Sequence, residues 1–578
     1  MKNKEIAQIF TRMGILNEMR GENVFKIRAY FKAAENIENL AEDIGTLKEE
    51  NRLSEIPGVG KALREKIIEY CDTGEVSEYK KLIEEIPESI FEVMEIPSVG
   101  PKKAKLFFDQ LKIKNVEELR KAAQTGKLLG LEGIKEKTVE NILQGIKIVQ
   151  AGRERMNLGT AASIAGEIVA ALRSLKEVRQ IEAAGSLRRQ KETIRDIDIL
   201  IDSSNPQKVM DTFVHLPCVK KINVYGETKS SILTHDNVQV DVRVVEEKSF
   251  GAALLYFTGC KNFNVRLRQI AIKKDMKVNE YGIFKIQGEK EKLIASKTEE
   301  ECLKALGLPL IPPELREDFG EEEIFVNVGK AHCAVPTLIE LSDIKGDLHA
   351  HSKWSDGLNT IAEMAQAARR LGYQYLAISD HSPSLRVAGG VSVENLKKKK
   401  EEIEELNAQN QNFRILFGTE VEIDSEGNLD YNEKILSEFD IVVASIHSRF
   451  EQSREQLTKR LVRACRNKYV HIIGHPTGVH LGKREPYDID FKEVCKAAVD
   501  HNVFLEINAF PSRLDLNSAN VYFARSQGVK FVIDSDAHAV NHLSYLRFGV
   551  SIARRGWLKK KDVLNTLPLE NLMKAIKK

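Results

Sequence analysis

The residues best equipped for chemistry begin in GDLHAHSKWSDG (346–357), where His349 and His351 stand two apart and Asp356 follows five further on. An imidazole pair with a nearby carboxylate can hold a divalent cation. Downstream, the ends of short apolar runs (YLAISDH, RILFGTEVEI, FDIVVASIH, YVHIIGH, KFVIDSDAH) supply His381, Glu420, His447, His475, Asp536 and His538. These nine groups exceed what a two-metal site needs, so up to three ions sharing bridging carboxylates are expected. The set has no thiolate and suits Zn²⁺, Mn²⁺ or Fe²⁺. Clustered divalent ions lower the pKa of bound water and clamp phosphate oxygens, which makes phosphoester hydrolysis the leading chemistry.

A second acidic group lies earlier, in IRDIDILID. Asp196 and Asp198 are separated by one residue of an apparent strand, so the period of two points both carboxylates to one face. The run VQVDVRVV adds Asp241. Three carboxylates on adjacent strands can hold two Mg²⁺ ions, one activating a hydroxyl and the other neutralising triphosphate charge. Just upstream, AAGSLRRQKET provides backbone and hydroxyl donors at Gly185 and Ser186, with Arg188 and Arg189 bringing charge for phosphate oxygens.

Elements that could position these groups are readable from periodicity. Beyond residue 346, strand-like runs alternate with helical segments, about seven βαβ units in all. That rhythm predicts a parallel barrel with its site at the C-terminal strand ends. Residues 160–300 read as mixed α/β, and LPLIPPELREDFGEEE reads as a linker. From Met1 to about Gln150 the pattern is helical, interrupted by recurring glycine turns in IPGVGKALREKI (56–67), IPSVGPKKAKLF (96–107) and LEGIKEKTVENI (131–142). Such turns leave main-chain N–H groups at a helix start, able to take a phosphate oxygen without reading sequence.

The 578-residue chain exceeds one ordinary core, and its net charge of +2 does not indicate a strongly basic nucleic-acid coating. Any such partner must be held locally. The seven cysteines, Cys333 among them, show no CxxC spacing, which argues against a disulfide framework and fits a reducing cytosol. No apolar run reaches the roughly 20 residues that span a bilayer, and MKNKEIAQIF lacks a signal-like core. A cytoplasmic, nucleoid-associated protein without membrane contact is expected.

The histidine and carboxylate series resembles the PHP (polymerase and histidinol phosphatase) family over residues 346–578, with all nine family ligand positions filled as named and Asp356 standing where some members have histidine. The combination of GS-x-RR, DxD and a later aspartate resembles the nucleotidyltransferase core of X-family DNA polymerases. That resemblance extends through YFTGCKNFNVRLRQ. It implies that Tyr256, Phe257 and Gly259 pack against the incoming sugar and that Asn264 and Arg268 meet the nascent pair and template. Lys261 then serves as a phosphate contact, and Ser186 and Arg189 hold the triphosphate. Arg195 departs from the glycine that many members carry before the first aspartate. The early turns resemble helix-hairpin-helix motifs, implying DNA contacts at Gly58, Gly60, Lys61, Val99, Gly100, Lys102 and Lys103, with Gly133 marking a degenerate third. Lys66 aligns with the family's Schiff-base lysine of a 5′-deoxyribose-phosphate lyase, with Tyr30 near that pocket and Ala62 in place of a neighbouring lysine.

Together these pieces resemble the bacterial and archaeal PolX enzymes, an X-family polymerase fused to a PHP domain. The implied fold is multidomain, α and α/β: a lyase-like helix-hairpin-helix domain (1–80), a fingers-like helical domain (81–150), a palm (151–245), a thumb (246–316), a linker (317–345) and a distorted (β/α)7 PHP barrel (346–578). The implied function is filling of short gaps in gapped or nicked DNA from dNTPs. A Mn²⁺- or Zn²⁺-dependent 3′→5′ exonuclease, abasic-site endonuclease or 3′-phosphatase would accompany it. Other repair proteins are further partners, and a monomer is expected. Two competing readings are a DNA-end-binding scaffold and a barrel that hydrolyses a small phosphate ester.

Overall fold

A computed structural model of the chain describes residues 2–38, 40, 43–96, 99–153, 155–317, 320, 335–410 and 412–577. Pro97 and Ser98 of the second glycine turn, Cys333 and most of the expected linker lie outside the described residues. Two compact units result, one up to residue 153 and one comprising nearly all of the remainder.

The first unit is all helix. One core runs from Ile6 to Ile146, so the stretches expected as separate domains, 1–80 and 81–150, bury their apolar faces together. Phe10 meets Tyr30 edge-on at its centre, ring centroids 5.9 Å apart. Gly58 turns the chain with φ of 77°, a value glycine adopts without steric cost, and Gly60 precedes helix Lys61–Thr73. Gly100 likewise precedes Pro101–Leu111, whose proline suits a first helical turn.

In the second unit the palm is a five-stranded sheet of β1 (Val178–Ala183), β2 (Asp196–Ser203), β3 (Val219–Val224), β4 (Lys229–Thr234) and β5 (Gln239–Val245), in the order β1-β2-β5-β4-β3. Strands β2 and β5 run parallel with Asp198 opposite Asp241, while the other pairings are antiparallel. Alternation along β2 puts Ile197 and Ile199 into the core and leaves Asp196 and Asp198 on the other face. A thumb follows: helices Phe250–Thr258 and Lys261–Ile272, the antiparallel strands β6 (Met276–Asn279), β7 (Gly282–Gln287) and β8 (Lys290–Ala295), and helix Glu299–Ala305.

The barrel strands are β9 (Gly346–Ala350), β10 (Tyr375–Ile378), β11 (Arg414–Glu422), β12 (Ile441–Ser445), β13 (Ile472–Ile473), β14 (Phe504–Asn508) and β15 (Phe531–Asp534), all parallel and in sequence order. They are buried nearly throughout, as strands covered on both faces must be. Connecting helices start at side-chain caps: Thr360 and Ser453 form reciprocal capping boxes with Glu363 and Gln456. Between β15 and β9 closure is made largely by side chains. The amide of Leu348 donates to Asp534 at 2.8 Å, Ser535 donates to Asp347, and the His351 amide reaches the Ala537 carbonyl at 2.8 Å. Burial pushes both carboxyl groups up, Asp347 to about 6.

Gly346 abuts Tyr375 so closely that a β-carbon would lie 2.3 Å from its carbonyl oxygen. Gly346→Ala is therefore expected to destabilise the barrel by about 1–3 kcal/mol, read as a lowered urea midpoint. An unchanged midpoint would contradict this packing.

Candidate functional site

The parallel strands all deliver their C-terminal ends to one mouth, and the histidines and carboxylates of the barrel gather there around a cavity of about 280 Å³. Glu420, at the end of β11, is the centre. Its Oε2 lies 3.3 Å from His349 Nε2, 3.6 Å from His351 Nε2 and 2.8 Å from His381 Nδ1. Its Oε1 lies 3.2 Å from His447 Nε2 and 3.0 Å from His475 Nε2. Asp536 Oδ1 approaches His351 Nε2 at 3.3 Å, and Asp356 Oδ2 approaches His381 and His538 at 3.6 and 3.5 Å. Three groups have ligand atoms close enough to share an ion: His351, Asp356, His381 and His538; His349, His351 and Asp536; His381, Glu420 and His447. His475 and Asp536 hold their backbones at positive φ, 27° and 52°, strained values typical of built sites.

Electrostatics set the cluster's protonation. Burial alone would raise Glu420, but His447, His349 and His381 hold it well below the usual range, and His349 does the same for Asp536. Burial alone would lower His381, yet Glu420 and Asp356 raise it to about 10; Glu420, Glu506 and Asp536 likewise carry His349 well above its ordinary value. His351 and His475 are pushed down to about 4, chiefly by burial. Among the described residues, both ring nitrogens of His351, Nε2 of His349 and Nδ1 of His475 are buried without a hydrogen-bond partner. Buried polar atoms are rarely left so, and imidazole nitrogens gathered with carboxylates within ligand reach of one another fit divalent cations.

Several supporting residues had not been singled out from the sequence. Glu506 on β14 accepts from His349 Nδ1 at 2.7 Å, and Glu422 on β11 takes His447 Nδ1 at 2.8 Å, fixing which ring nitrogen faces the centre. Their signal was present: a carboxylate alternating into an otherwise apolar barrel strand, as in FLEIN and TEVEI. Arg513 is the other omission. It lines the cavity with Nε 3.4 Å from Asp536 Oδ2, and its buried Nη1 has no hydrogen-bond partner.

In the palm, Asp196, Asp198 and Asp241 share one face, with Gln239 donating to Asp241 at 3.0 Å. Burial, then Asp196 and Asp241, raises Asp198 to about 6, against the opposing pull of Arg243 and Arg189. Gly185, at φ of 59°, is pressed against Asp198: a β-carbon there would sit 2.3 Å from Oδ2. Tyr256 is exposed and stacks edge-on with Phe257 at 5.2 Å, and Arg243 covers the Phe257 ring at 4.7 Å. Asn264 donates to the Tyr256 carbonyl at 2.8 Å, and Arg268 follows one turn on. Lys261 opens its helix exposed, after a cis peptide joining Gly259 to Cys260.

Two arginines of the palm are tied to partners within the fold. Arg188 is spent on structure: it forks onto Glu299 at 2.8 and 2.6 Å and donates to Thr258. Arg189 is buried, its Nε on Glu317 at 2.8 Å and its Nη1 on the Thr258 carbonyl, so its side chain is held in one place rather than free to swing.

In the helical unit, Gly60 and Gly100 are N-caps that offer no capping side chain of their own, with Lys61, Lys102 and Lys103 in the first turns. Val99, named as a DNA contact, has its side chain buried and its N–H on the Ile96 carbonyl, which places it in the shaping of the turn. Lys66 pairs with Glu78 at 2.8 Å, and Tyr30 donates to the same carboxylate at 3.2 Å.

Palm, thumb and imidazole-lined barrel in one chain define a polymerase-type core joined to a metal-binding phosphoesterase barrel. The family model for the PHP domain matches residues 347–510, that for the DNA polymerase beta thumb 253–317, that for a helix-hairpin-helix domain 1–76, and that for a SAM-like helix-hairpin-helix tandem 90–147. The chain is 39% identical over 580 residues, covering 100% of both chains, to the DNA polymerase/3′-5′ exonuclease PolX of Bacillus subtilis. It is 35% identical over 232 residues (38% of this chain, 89% of the relative) to a probable phosphatase of a Thermoanaerobacter species. Over 317 residues (50% of this chain, 52% of the relative) it is 24% identical to DNA polymerase lambda of Rattus norvegicus. The chain belongs to the PolX family of X-family DNA polymerases with a C-terminal PHP domain.

Without metal, protons on His349, His381, His447 and His538 offset the buried carboxylates. Metal uptake near pH 7 is therefore expected to release protons and to tighten as pH rises, read by calorimetric Mn²⁺ titration in buffers of different ionisation enthalpy. Because His381 is raised in the fold from 6.5 to about 10, the stability it contributes to the metal-free protein is fully present below pH 6.5 and lost as pH climbs through 10. Melting with chelator across that window checks the sign.

Proposed function

We propose that this protein fills short gaps in DNA by template-directed synthesis and that its barrel removes nucleotides from 3′ ends. The observation that carries the reading is the pairing, in one chain, of a three-aspartate palm face and a nine-group imidazole and carboxylate centre. Full-length similarity to a Bacillus subtilis protein whose name joins polymerase and 3′-5′ exonuclease supports it.

At the palm, Asp196, Asp198 and Asp241 would hold Mg²⁺, which when bound activates the primer hydroxyl and neutralises triphosphate charge. Gly185 lets the main chain pass close to Asp198, so Ser186 can present donors to the triphosphate beside it. Tyr256, Phe257 and Gly259 face the sugar, while Asn264, Lys261 and Arg268 serve the base pair, phosphate and template. At the barrel, His349, His351, Asp356, His381, Glu420, His447, His475, Asp536 and His538 would hold up to three Mn²⁺ or Zn²⁺ ions, supplying Lewis acidity toward a phosphate. Arg513, with an uncommitted buried N–H, takes a phosphate oxygen on the same side. Gapped or nicked DNA is gripped without sequence preference at the Gly58–Lys61 and Gly100–Lys103 turns. We assign Lys66 to a lyase step, which requires release of its ammonium from Glu78. The protein works as a monomer on the nucleoid; among the described residues no helix is long and apolar enough to cross a membrane.

A second reading, a barrel acting on small phosphate monoesters, draws on its 35% identity to a probable phosphatase. One assay on a 5′-phosphorylated one-nucleotide gap separates these readings. Asp198→Ala is expected to abolish incorporation and spare degradation, His349→Ala the reverse, each by at least about 10²-fold. Incorporation equal in parent and Asp198→Ala would favour a DNA-end scaffold, and hydrolysis of small phosphates without mononucleotide release would favour the monoesterase. For the lyase step, borohydride is expected to trap a 5′-deoxyribose-phosphate end on the parent and not on Lys66→Ala.

A further inference from the structure

The nucleotide site of the palm is braced from the barrel. Arg555 closes barrel helix Leu546–Arg555 and is 2% exposed. Its Nη1 donates to the main-chain carbonyl of Arg189 at 2.8 Å and lies 3.1 Å from Glu317 Oε1. The same Glu317 oxygen accepts from Arg189 Nε at 2.8 Å. On its other edge Arg555 reaches Ser518 Oγ at 3.3 Å and Glu192 at 3.7 Å, while Ser518 donates to Glu192 through its amide and hydroxyl at 2.9 and 2.7 Å. One guanidinium, 366 positions along the chain, thus fixes both the backbone of Arg189 and the carboxylate that aims its side chain.

The other end of that side chain is set by the Thr258 carbonyl, within the turn proposed to face the sugar. Arg189 also lies close enough to Asp198 for its charge to act on that carboxyl. A guanidinium meant for phosphates is effective only if held near its working position before the ligand arrives. Glu317 alone is a poor anchor: it is a buried acid whose other oxygen, among the described residues, meets Lys191 at 3.4 Å, so removing Arg555 leaves it less compensated and free to re-pair. The seam itself is tight, since a β-carbon on Gly159 of the palm would lie 2.7 Å from Pro511 of the barrel.

We infer that Arg555, a residue of the phosphoesterase domain, is a positioning residue for nucleotide selection in the palm, acting through Glu317 on Arg189. This rests on the polymerase reading above. Its test is steady-state single-nucleotide gap filling with the full-length protein, measuring KM for dNTP and kcat, beside mononucleotide release and bound-metal content. Arg555→Met is expected to raise KM for dNTP at least about tenfold, the scale of a lost charged hydrogen bond, with kcat and mononucleotide release within about twofold. Arg555→Lys, which keeps charge but not the fork, should fall between. Glu317→Gln should raise KM similarly, and the double variant Glu317→Gln with Arg555→Met should be no worse than the poorer single one, because both act on one arm. Unchanged KM in Arg555→Met, or equal loss of incorporation and degradation in every variant, overturns the inference. Should Arg555→Met fail to fold, an unchanged KM in Glu317→Gln overturns it alone. A parent protein that incorporates no dNTP removes the polymerase reading itself, a failure visible before any variant is compared.

Discussion

A carboxylate buried away from water survives ionised only if cations or strong donors surround it. Glu420 is such a case, with five imidazoles on its two oxygens. No single loop could assemble that shell. A parallel barrel can, because each strand ends at the same mouth and each contributes one or two polar side chains to a common point. Glu506 and Glu422 extend the logic outward by holding His349 and His447 in one orientation, and the carboxyl groups of Asp347 and Asp534 help close the barrel beneath them.

The palm faces the same constraint with the opposite remedy. Asp196, Asp198 and Asp241 form an all-carboxylate group, and burial, then crowding, raises Asp198 to about 6. Such a face calls for hard, oxygen-preferring ions such as Mg²⁺, whereas the imidazole-rich barrel suits Zn²⁺ or Mn²⁺. Two chemistries on phosphodiesters can coexist in one chain because their ligand sets differ in kind. What joins them is a buried polar seam, in which Arg555, Glu317, Glu192 and Ser518 tie the segment carrying Arg189 to the barrel. The palm and barrel accordingly form one compact unit.

Much of this was legible in the residues alone. Strand alternation placed Asp196 and Asp198 on one face, and the recurrence of histidine or acid at the ends of apolar runs marked the barrel mouth, since both patterns are local and periodic. Glycine turns before lysine-led helices were equally local. Glu506 and Glu422 were passed over because a lone acid within an apolar strand reads as strand until its neighbours are known. Arg513 was passed over because its value lies in an uncommitted N–H, which no spacing encodes.

The sequence by itself determined the secondary elements, the barrel rhythm, and which side-chain types could meet at each centre, because these follow from periods of two and 3.6 residues and from ligand chemistry. Only the tertiary structure decided what the arginines do. Arg188 and Arg189 look alike in GSLRR, yet Glu299 claims one while Glu317 and a barrel arginine brace the other. Likewise Val99, beside a glycine turn in sequence, points into the helical core. Partners hundreds of residues apart are brought together by burial, and burial is a property of the whole packing rather than of any segment.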